Sequence, residues 1–224
     1  MNLTAGEFDY VRDLVRRRSA IVLENGKEYL AEFRLTTLAR REGYESLASL
    51  IARLRAEPDG PLHRLVVEAM TTNETSFFRD QHPFAALRSH VLPRLIERRA
   101  AERRLTIWCA ASSSGQEPYT IAMVMKEYFP SLESWSVRIV ATDLSREMVE
   151  RTRAGRYSQL EVNRGLLAPF LVKYFERQGI EWQVKEPLRR MVEVHECNLA
   201  EVWPVMAPID IVFMRNVLIY FDLA

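Results

Sequence analysis

The stretch Trp108-Cys-Ala-Ala-Ser-Ser-Ser-Gly-Gln-Glu-Pro-Tyr119 decides the fold. Leu105 to Cys109 is an apolar run that reads as a short strand, and Ala110 to Gly115 is a tight loop of small residues. Pro118 has no N–H to lose in a first helical turn, so the spacing predicts a helix from Pro118 to Tyr128. Side chains this small let a ligand approach the backbone, and a new helix offers free N–H groups. That is how an α/β protein builds a pocket beyond a strand's carboxyl end. A second apolar run, Val137 to Ala141, ends in Thr142-Asp143. An acid at that neighbouring strand tip can accept hydrogen bonds from a ribose.

Outward from this stretch the pattern continues as an alternation. A helix over 145–154 follows the second strand, giving βαβα and a parallel sheet. Leu166 to Phe175 reads as helix. Trp182 to Val184 and Met191 to Val194 read as short antiparallel strands, with Pro187 between them marking a turn or an edge. Ile209-Asp-Ile-Val-Phe-Met214 reads as a buried strand leading into Arg215-Asn216. On the N-terminal side, Phe84 to Ile96 is a helical stretch that Pro93 should bend.

Residues 1 to about 70 are helical throughout. Phe8, Val11, Leu14 and Val15 recur at helical spacing behind a Thr4/Glu7 capping box. Tyr29, Phe33 and Leu38 mark a second helix, and Leu47, Leu50, Ile51 and Leu54 a third. Pro58-Asp-Gly-Pro61 breaks the pattern before Leu62 to Met70 resumes it. No catalytic constellation occurs here. The basic residues, Arg16, Arg17, Arg18, Arg34, Arg40 and Arg41, are either a solvated face or a surface for an acidic partner.

The 224 residues carry 31 Lys and Arg against 30 Asp and Glu, a net charge of +1, and are 48% hydrophobic. Such a balance fits a soluble globular protein and argues against nucleic-acid binding through bulk charge. Cys109 and Cys197 both lie beside apolar runs, which predicts buried free thiols in a reducing compartment. No apolar stretch is long enough to span a bilayer and no signal peptide opens the chain, so the cytoplasm is the expected location.

Glu117, Asp143, Asn198 and Arg215-Asn216 each stand just past an apolar run. A loop start is normally polar, and a structural cap explains any one of them as well as a ligand does. Four at successive strand ends point to one polar-lined cleft. An adenosine-type ligand suits it, with Asp143 on the ribose hydroxyls and amide or backbone groups near Asn198-Leu199 on the adenine edge. The chain lacks Gly-x-Gly-x-x-Gly and Gly-x-x-x-x-Gly-Lys-Ser/Thr, so a cofactor without a pyrophosphate fits better than NAD or ATP. Thr71-Thr-Asn-Glu-Thr-Ser-Phe-Phe-Arg79 is either a linker pinned by two aromatics or a strap over the cofactor, with Arg79 offering a forked cation.

The chain resembles the chemotaxis-receptor glutamate methyltransferases, the CheR family. The resemblance rests on Thr71 to Arg79, on Ala110-Ala-Ser-Ser-Ser-Gly-Gln-Glu-Pro-Tyr119, on Ala141-Thr-Asp-Leu-Ser145 and on Phe213-Met-Arg-Asn-Val-Leu-Ile-Tyr-Phe-Asp222. It implies an α/β fold: a Rossmann-like methyltransferase sheet, a small all-helical N-terminal domain and a small inserted antiparallel β-subdomain. The implied division is a helical domain at 1–70 that docks the receptor, a linker at 71–83 that contributes to the cofactor site, and a methyltransferase domain at 84–224. The β-subdomain falls near 176–195. The family's later strands are missing after Ala224, so the sheet is expected to be truncated. The implied activity is methyl transfer from S-adenosylmethionine to receptor glutamates, giving γ-methyl esters and S-adenosylhomocysteine, with no metal.

By motif, the resemblance makes Asn73, Thr75, Arg79, Glu117, Asp143, Asn198, Leu199, Met214 and Arg215 cofactor contacts. It places Arg79 and Tyr220 at the reacting centre, with Asn216 in support. The implied partners are cytoplasmic helices of methyl-accepting receptors, with neither nucleic acid nor membrane insertion. Phe175-Glu-Arg-Gln-Gly-Ile-Glu-Trp-Gln183 is shorter than the loop shared by family members that dock on a receptor's C-terminal pentapeptide, so the chain resembles the tether-independent type. Two readings stand beside the leading one: a non-catalytic S-adenosylmethionine-binding regulatory module, and a methyltransferase acting on another protein.

Overall fold

Four amphipathic helices open the chain, and their starts are written in the sequence. The computed structural model describes residues 3–57, 59–203 and 206–221. Pro58 of the expected breaker and residues 222–224 lie outside them. Helix α1 (Ala5–Ser19) begins at a full capping box: the Thr4 hydroxyl accepts from Glu7 N, and the Glu7 carboxylate accepts from Thr4 N. Its buried face holds Phe8, Val11, Leu14 and Val15. Helices α2 (Glu28–Arg41), α3 (Leu47–Ala56) and α4 (Pro61–Met70) follow. A second box, between Ser46 and Ser49, starts α3, and Pro61 occupies the first turn of α4, where its missing N–H costs nothing.

The face of α2 differs from the expectation. Tyr29 and Phe33 are each 71% exposed, while Ala31, Leu35, Leu38 and Ala39 are buried. Apolar residues stand on both sides of this helix, and the small alanines are the side that admits a close neighbour.

The chain divides into two units. The first takes the described residues up to Thr72, 198–202, and those from Asn216 on. The second takes 73–197 and the described residues of 203–215. A linear cut near residue 70 does not anticipate the two later pieces of the helical unit. They belong there because Asn198 Nδ2 donates to Arg18 O at 2.6 Å, Val22 N donates to Tyr220 O at 2.9 Å, and Ile21 bridges to Phe221.

In the second unit, α5 (His82–Ala86) runs through a π-helical turn at Leu87–Val91 into α6 (Leu92–Arg98). Pro93 cannot donate into the preceding turn, and the wider turn before it absorbs the mismatch. Then come β1 (Arg104–Ala110), α7 (Gln116–Tyr128), β2 (Ser136–Asp143), α8 (Arg146–Ala154), β3 (Arg156–Tyr157), α9 (Gln159–Asn163) and α10 (Ala168–Tyr174). The chain continues through β4 (Phe175–Gln178), β5 (Glu181–Val184), α11 (Glu186–Arg189), β6 (Val192–Glu196) and β7 (Ile211–Phe213). Helix α7 starts at Gln116, two residues before the expected Pro118. Gly115, at φ 91°, makes the cap, and Pro118 still falls among the first-turn positions that have no intrahelical partner.

The large sheet is wholly parallel in the order β6-β2-β1-β7. Cys109 of β1 lies between Ala141 and Phe213, and the near-continuous apolar run of β1 is the mark of a strand covered on both faces. The small sheet is antiparallel in the order β3-β5-β4. Here the structure corrects the reading of 191–194. This segment does not pair with 182–184; it forms β6 and pairs in parallel with β2, from Ile139↔Val192 to Asp143↔Glu196. The small sheet is completed instead by Arg156 and Tyr157, so it does not reach residue 195. Alternation of apolar residues declares a strand but not its partner. Pro187, expected at a turn or edge, sits inside the short helix α11. Among the described residues, no helix is long and apolar enough to cross a membrane.

Candidate functional site

In a parallel sheet every strand's carboxyl end points the same way, and a ligand crevice opens where the strand order reverses. That reversal lies between β1 and β7; Glu117 follows β1 in the first turn of α7, Met214 and Arg215 follow β7, and Asp143 stands at the tip of neighbouring β2.

The loop after β1 is held in an unusual conformation. Ala111 (φ 54°), Ser113 (φ 51°) and Gly115 (φ 91°) alternate through the left-handed region, which costs a non-glycine residue about 1–2 kcal/mol. Side-chain contacts hold it there. Asp143 Oδ2 accepts from Ser113 N at 2.7 Å, while its Oδ1 accepts from Ser145 N, outside the loop, at 2.9 Å. Thr152 Oγ1 donates to Ser113 O at 3.0 Å. A Cβ on Gly115 would stand 2.7 Å from Thr152 Cγ2, so only glycine lets α8 come this close. The acid at the β2 tip therefore shapes the loop as well as offering oxygens beside it. Ser112 Oγ is buried without a hydrogen-bond partner among the described residues.

A second network runs from α7 to β7. Arg215 Nη1 donates to Glu117 Oε2 at 3.0 Å, and its Nη2 donates to Asp80 Oδ2 at 2.8 Å and to Arg79 O at 2.7 Å. The guanidinium also lies 5.3 Å from the centre of the Phe84 ring. Burial raises the Glu117 pKa above its ordinary value, against the opposing pull of Arg215. Arg215 is thus committed to a carboxylate pair and a backbone carbonyl. Met214, beside it, is partly buried.

The segment 73–79 is pinned along its length. Ser113 Oγ donates to Asn73 O at 2.8 Å, Phe78 N donates to Thr120 Oγ1 at 3.2 Å, and Arg164 pairs with Glu74. Phe77 is fully buried, with its ring edge-on to Tyr157 at 5.0 Å and to Phe175 at 5.5 Å. Phe78 stands edge-on to Phe170 at 5.1 Å. Arg79 Nη1 donates to Glu74 O at 2.6 Å, which holds the side chain across its own loop. Thr75 is partly buried. Thr120, Thr152, Arg164 and Gly165, which position this strap and the β1 loop, are absent from the sequence reading. Gly165 alone had a signal, as an isolated glycine between two helices.

Asn73, Thr75, Arg79, Glu117, Asp143, Met214 and Arg215 thus belong to the unit built on the sheet, while Asn198, Leu199, Asn216 and Tyr220 belong to the helical unit. The Asn198 amide hydrogens are both engaged: Nδ2 donates to Arg18 O and to Glu201 Oε1, while Oδ1 accepts from Ala200 N at 3.0 Å and keeps a second lone pair. Arg34, read with Arg40 and Arg41 as a solvated face or a surface for an acidic partner, instead turns its guanidinium to Met70 O at 2.8 Å and Thr72 Oγ1 at 3.3 Å. Arg40 and Arg41 are exposed. Both cysteines are buried and not joined in a disulfide, and burial pushes the Cys109 thiol pKa well up. Among the described residues, no group of three or more His, Cys, Asp or Glu is arranged to hold a metal ion.

Comparison with known proteins identifies the family. Residues 73–224 match the CheR methyltransferase SAM binding domain, and residues 6–71 match the CheR methyltransferase all-alpha domain. The chain is 41% identical over 227 residues to chemotaxis protein methyltransferase 1 of Pseudomonas aeruginosa, spanning 99% of this chain and 82% of that one. It is 41% identical to a chemotaxis protein methyltransferase of Vibrio parahaemolyticus, over 98% of this chain and 81% of that one. A chemotaxis protein methyltransferase of Borreliella burgdorferi is 34% identical over 99% of this chain and 80% of its own length. With both domain models matched in order and relatives aligned along nearly its whole length, the chain belongs to the CheR methyltransferase family.

Proposed function

We propose that this protein transfers a methyl group from S-adenosylmethionine to glutamate side chains on the cytoplasmic helices of chemotaxis receptors, forming glutamate γ-methyl esters. The observation that carries the reading is the pair of networks at the β1–β7 reversal: Asp143 beneath the small-residue loop, and Glu117 locked to Arg215. The fit to the cofactor is one of donor chemistry. Asp143 offers a carboxylate that can accept from ribose hydroxyls, the loop has no side chain larger than serine between Ala110 and Gly115, and its buried Ser112 hydroxyl has no hydrogen-bond partner among the described residues. The set lacks the glycine-rich phosphate loop that a dinucleotide needs.

S-adenosylmethionine supplies an electrophilic methyl on sulfonium, and a glutamate is already a nucleophilic carboxylate at neutral pH. A carboxylate oxygen forms the new bond to carbon as the carbon–sulfur bond breaks, and that electron pair stays on sulfur. The protein's part is to align three atoms and exclude water. In this reading Asn73, Thr75, Asp143 and the Leu199 backbone hold the cofactor, Glu117 and Arg215 fix the loops around it, and Arg79 orients the substrate carboxylate with Tyr220 beside the reacting centre. A tight Arg79 clamp would blunt the nucleophile, and its bond to Glu74 O restrains it from closing one.

The acceptor helices would be met in the cytoplasm through the exposed face of α2. The β4–β5 hairpin turns on two residues, Gly179 and Ile180, because Gln178 pairs with Glu181. So short a turn supports docking without the receptor's C-terminal pentapeptide. The test is transfer of labelled methyl to receptor cytoplasmic fragments by wild type and by Arg79→Ala. We expect robust labelling by wild type and loss of most turnover in the variant, with S-adenosylhomocysteine still bound. Near-wild-type turnover of the variant at saturating cofactor and fragment would remove Arg79 from the chemistry. Labelling of other proteins but no receptor fragment would overturn the substrate.

A further inference from the structure

Arg34 has the wrong surroundings for a rim charge. A steering cation works from solvent, yet this guanidinium is half-buried, and burial lowers its pKa below the ordinary arginine value. Its two bonded nitrogens go to neutral acceptors rather than to a carboxylate. One acceptor, Met70 O, is the last carbonyl of α4, a helix end that carries partial negative charge and has no intrahelical partner. The other, Thr72 Oγ1, belongs to the residue directly before Asn73. Thr71 is fixed between them, its Oγ1 donating to Glu68 O at 2.7 Å. The acidic group whose field opposes the lowering of the Arg34 pKa is the Tyr220 phenol. Tyr220 is itself tied to the helical unit through Val22 N and the Ile21–Phe221 bridge.

Accepting the proposed function, we infer that Arg34 is a positioning residue for methyl transfer: its fork locks Met70 O and Thr72 Oγ1 and so fixes where the chain enters Asn73, Thr75 and Arg79. Arginine suits this because one planar group spans two acceptors in fixed directions, which a lysine ammonium on a flexible stem does not.

The test compares Arg34→Ala, Arg34→Lys and Thr72→Val with wild type. The measurements are S-adenosylhomocysteine affinity by calorimetry, kcat and receptor-fragment KM at low and high salt, and thermal midpoints. Arg34→Ala should weaken S-adenosylhomocysteine binding about tenfold and lower kcat, since hydrogen bonds to a charged group are the stronger kind. Receptor-fragment KM should stay within about twofold at every ionic strength, because the lost contacts are not steering contacts. Arg34→Lys should recover part of the affinity. Thr72→Val should lose about two- to threefold in the same direction, as expected for one neutral partner. Unchanged S-adenosylhomocysteine affinity in Arg34→Ala with a salt-dependent rise in receptor KM would overturn the inference in favour of a rim charge. A lowered thermal midpoint with unchanged affinity per folded molecule would overturn it in favour of a plain helix cap. If Arg34→Ala does not fold, Thr72→Val decides, and wild-type affinity and kcat there would refute the lock. A wild-type protein that binds S-adenosylhomocysteine but methylates no receptor fragment would instead refute the proposed function, and the affinity ratios would still report on Arg34.

Discussion

Gly165→Ala is the sharpest perturbation of the strap. Gly165 sits at φ +90°, and a Cβ built there would stand 2.0 Å from the Phe77 carbonyl oxygen. The backbone conformation alone costs an L-residue about 1–2 kcal/mol. The clash must then be relieved by moving Phe77, whose ring is fully buried against Tyr157 and Phe175, and overpacking of that kind costs about 1–3 kcal/mol. The sum is about 2–5 kcal/mol, a large part of the 5–15 kcal/mol that is typical of a domain. Gly179→Ala is the control: it shares the left-handed backbone, at φ +64°, but its Cβ would meet nothing within 4 Å. Urea unfolding should therefore separate the two variants by at least about 1 kcal/mol. Calorimetry should find weaker S-adenosylhomocysteine binding in Gly165→Ala only, because Phe77 and Phe78 belong to the same strap as Asn73 and Arg79. Equal destabilisation of the two variants, with equal affinities, would refute the reasoning.

Asp143→Ala removes an acid that holds two backbone N–H groups and shapes the β1 loop, so S-adenosylhomocysteine binding should weaken by about 1–3 kcal/mol, and unchanged affinity by calorimetry would displace the ribose from this position. Glu117→Gln addresses the sign of a pH effect. Burial dominates and raises the Glu117 pKa above its ordinary 4.5, so the folded protein holds this proton more tightly than the unfolded chain. Its contribution is fully present below about pH 4.5 and is lost as pH rises through the raised value, so wild-type stability relative to Gln should fall over that interval. Urea midpoints that diverge the other way would show Arg215 outweighing burial. Reversing Arg40 and Arg41, both exposed on α2, should slow methyl transfer most at low salt without touching cofactor affinity, and rates unchanged at every ionic strength would return them to a solvated face.

Local signals were the legible ones. The Thr4/Glu7 box, the β1–loop–α7 stretch and the acid at the β2 tip could be read directly, because each is a short-range pattern whose physics is complete within a few residues. Partnerships across the chain were not legible. The alternation of Val192 and Val194 marks a strand but cannot say that it joins β2 rather than β5. Apolar residues on both faces of α2 hid which face is buried, and the commitment of the Asn198 amide depends on Arg18, 180 residues away. The Arg34 lock and the Gly165 contact likewise join residues far apart in sequence, so neither composition nor spacing could reveal them. The site residues named from motifs include several, Arg215 foremost, whose visible work is to hold loops in place.

The central claim is ester formation on receptor glutamate. The direct measurement is to incubate the protein with methyl-labelled S-adenosylmethionine and a receptor cytoplasmic fragment, isolate the fragment and treat it with mild base. The account expects labelled fragment that releases its label as methanol, and no labelling when the acceptor glutamates are replaced by alanine. Label that survives base, or a fragment left unlabelled by protein that binds S-adenosylhomocysteine, would contradict it.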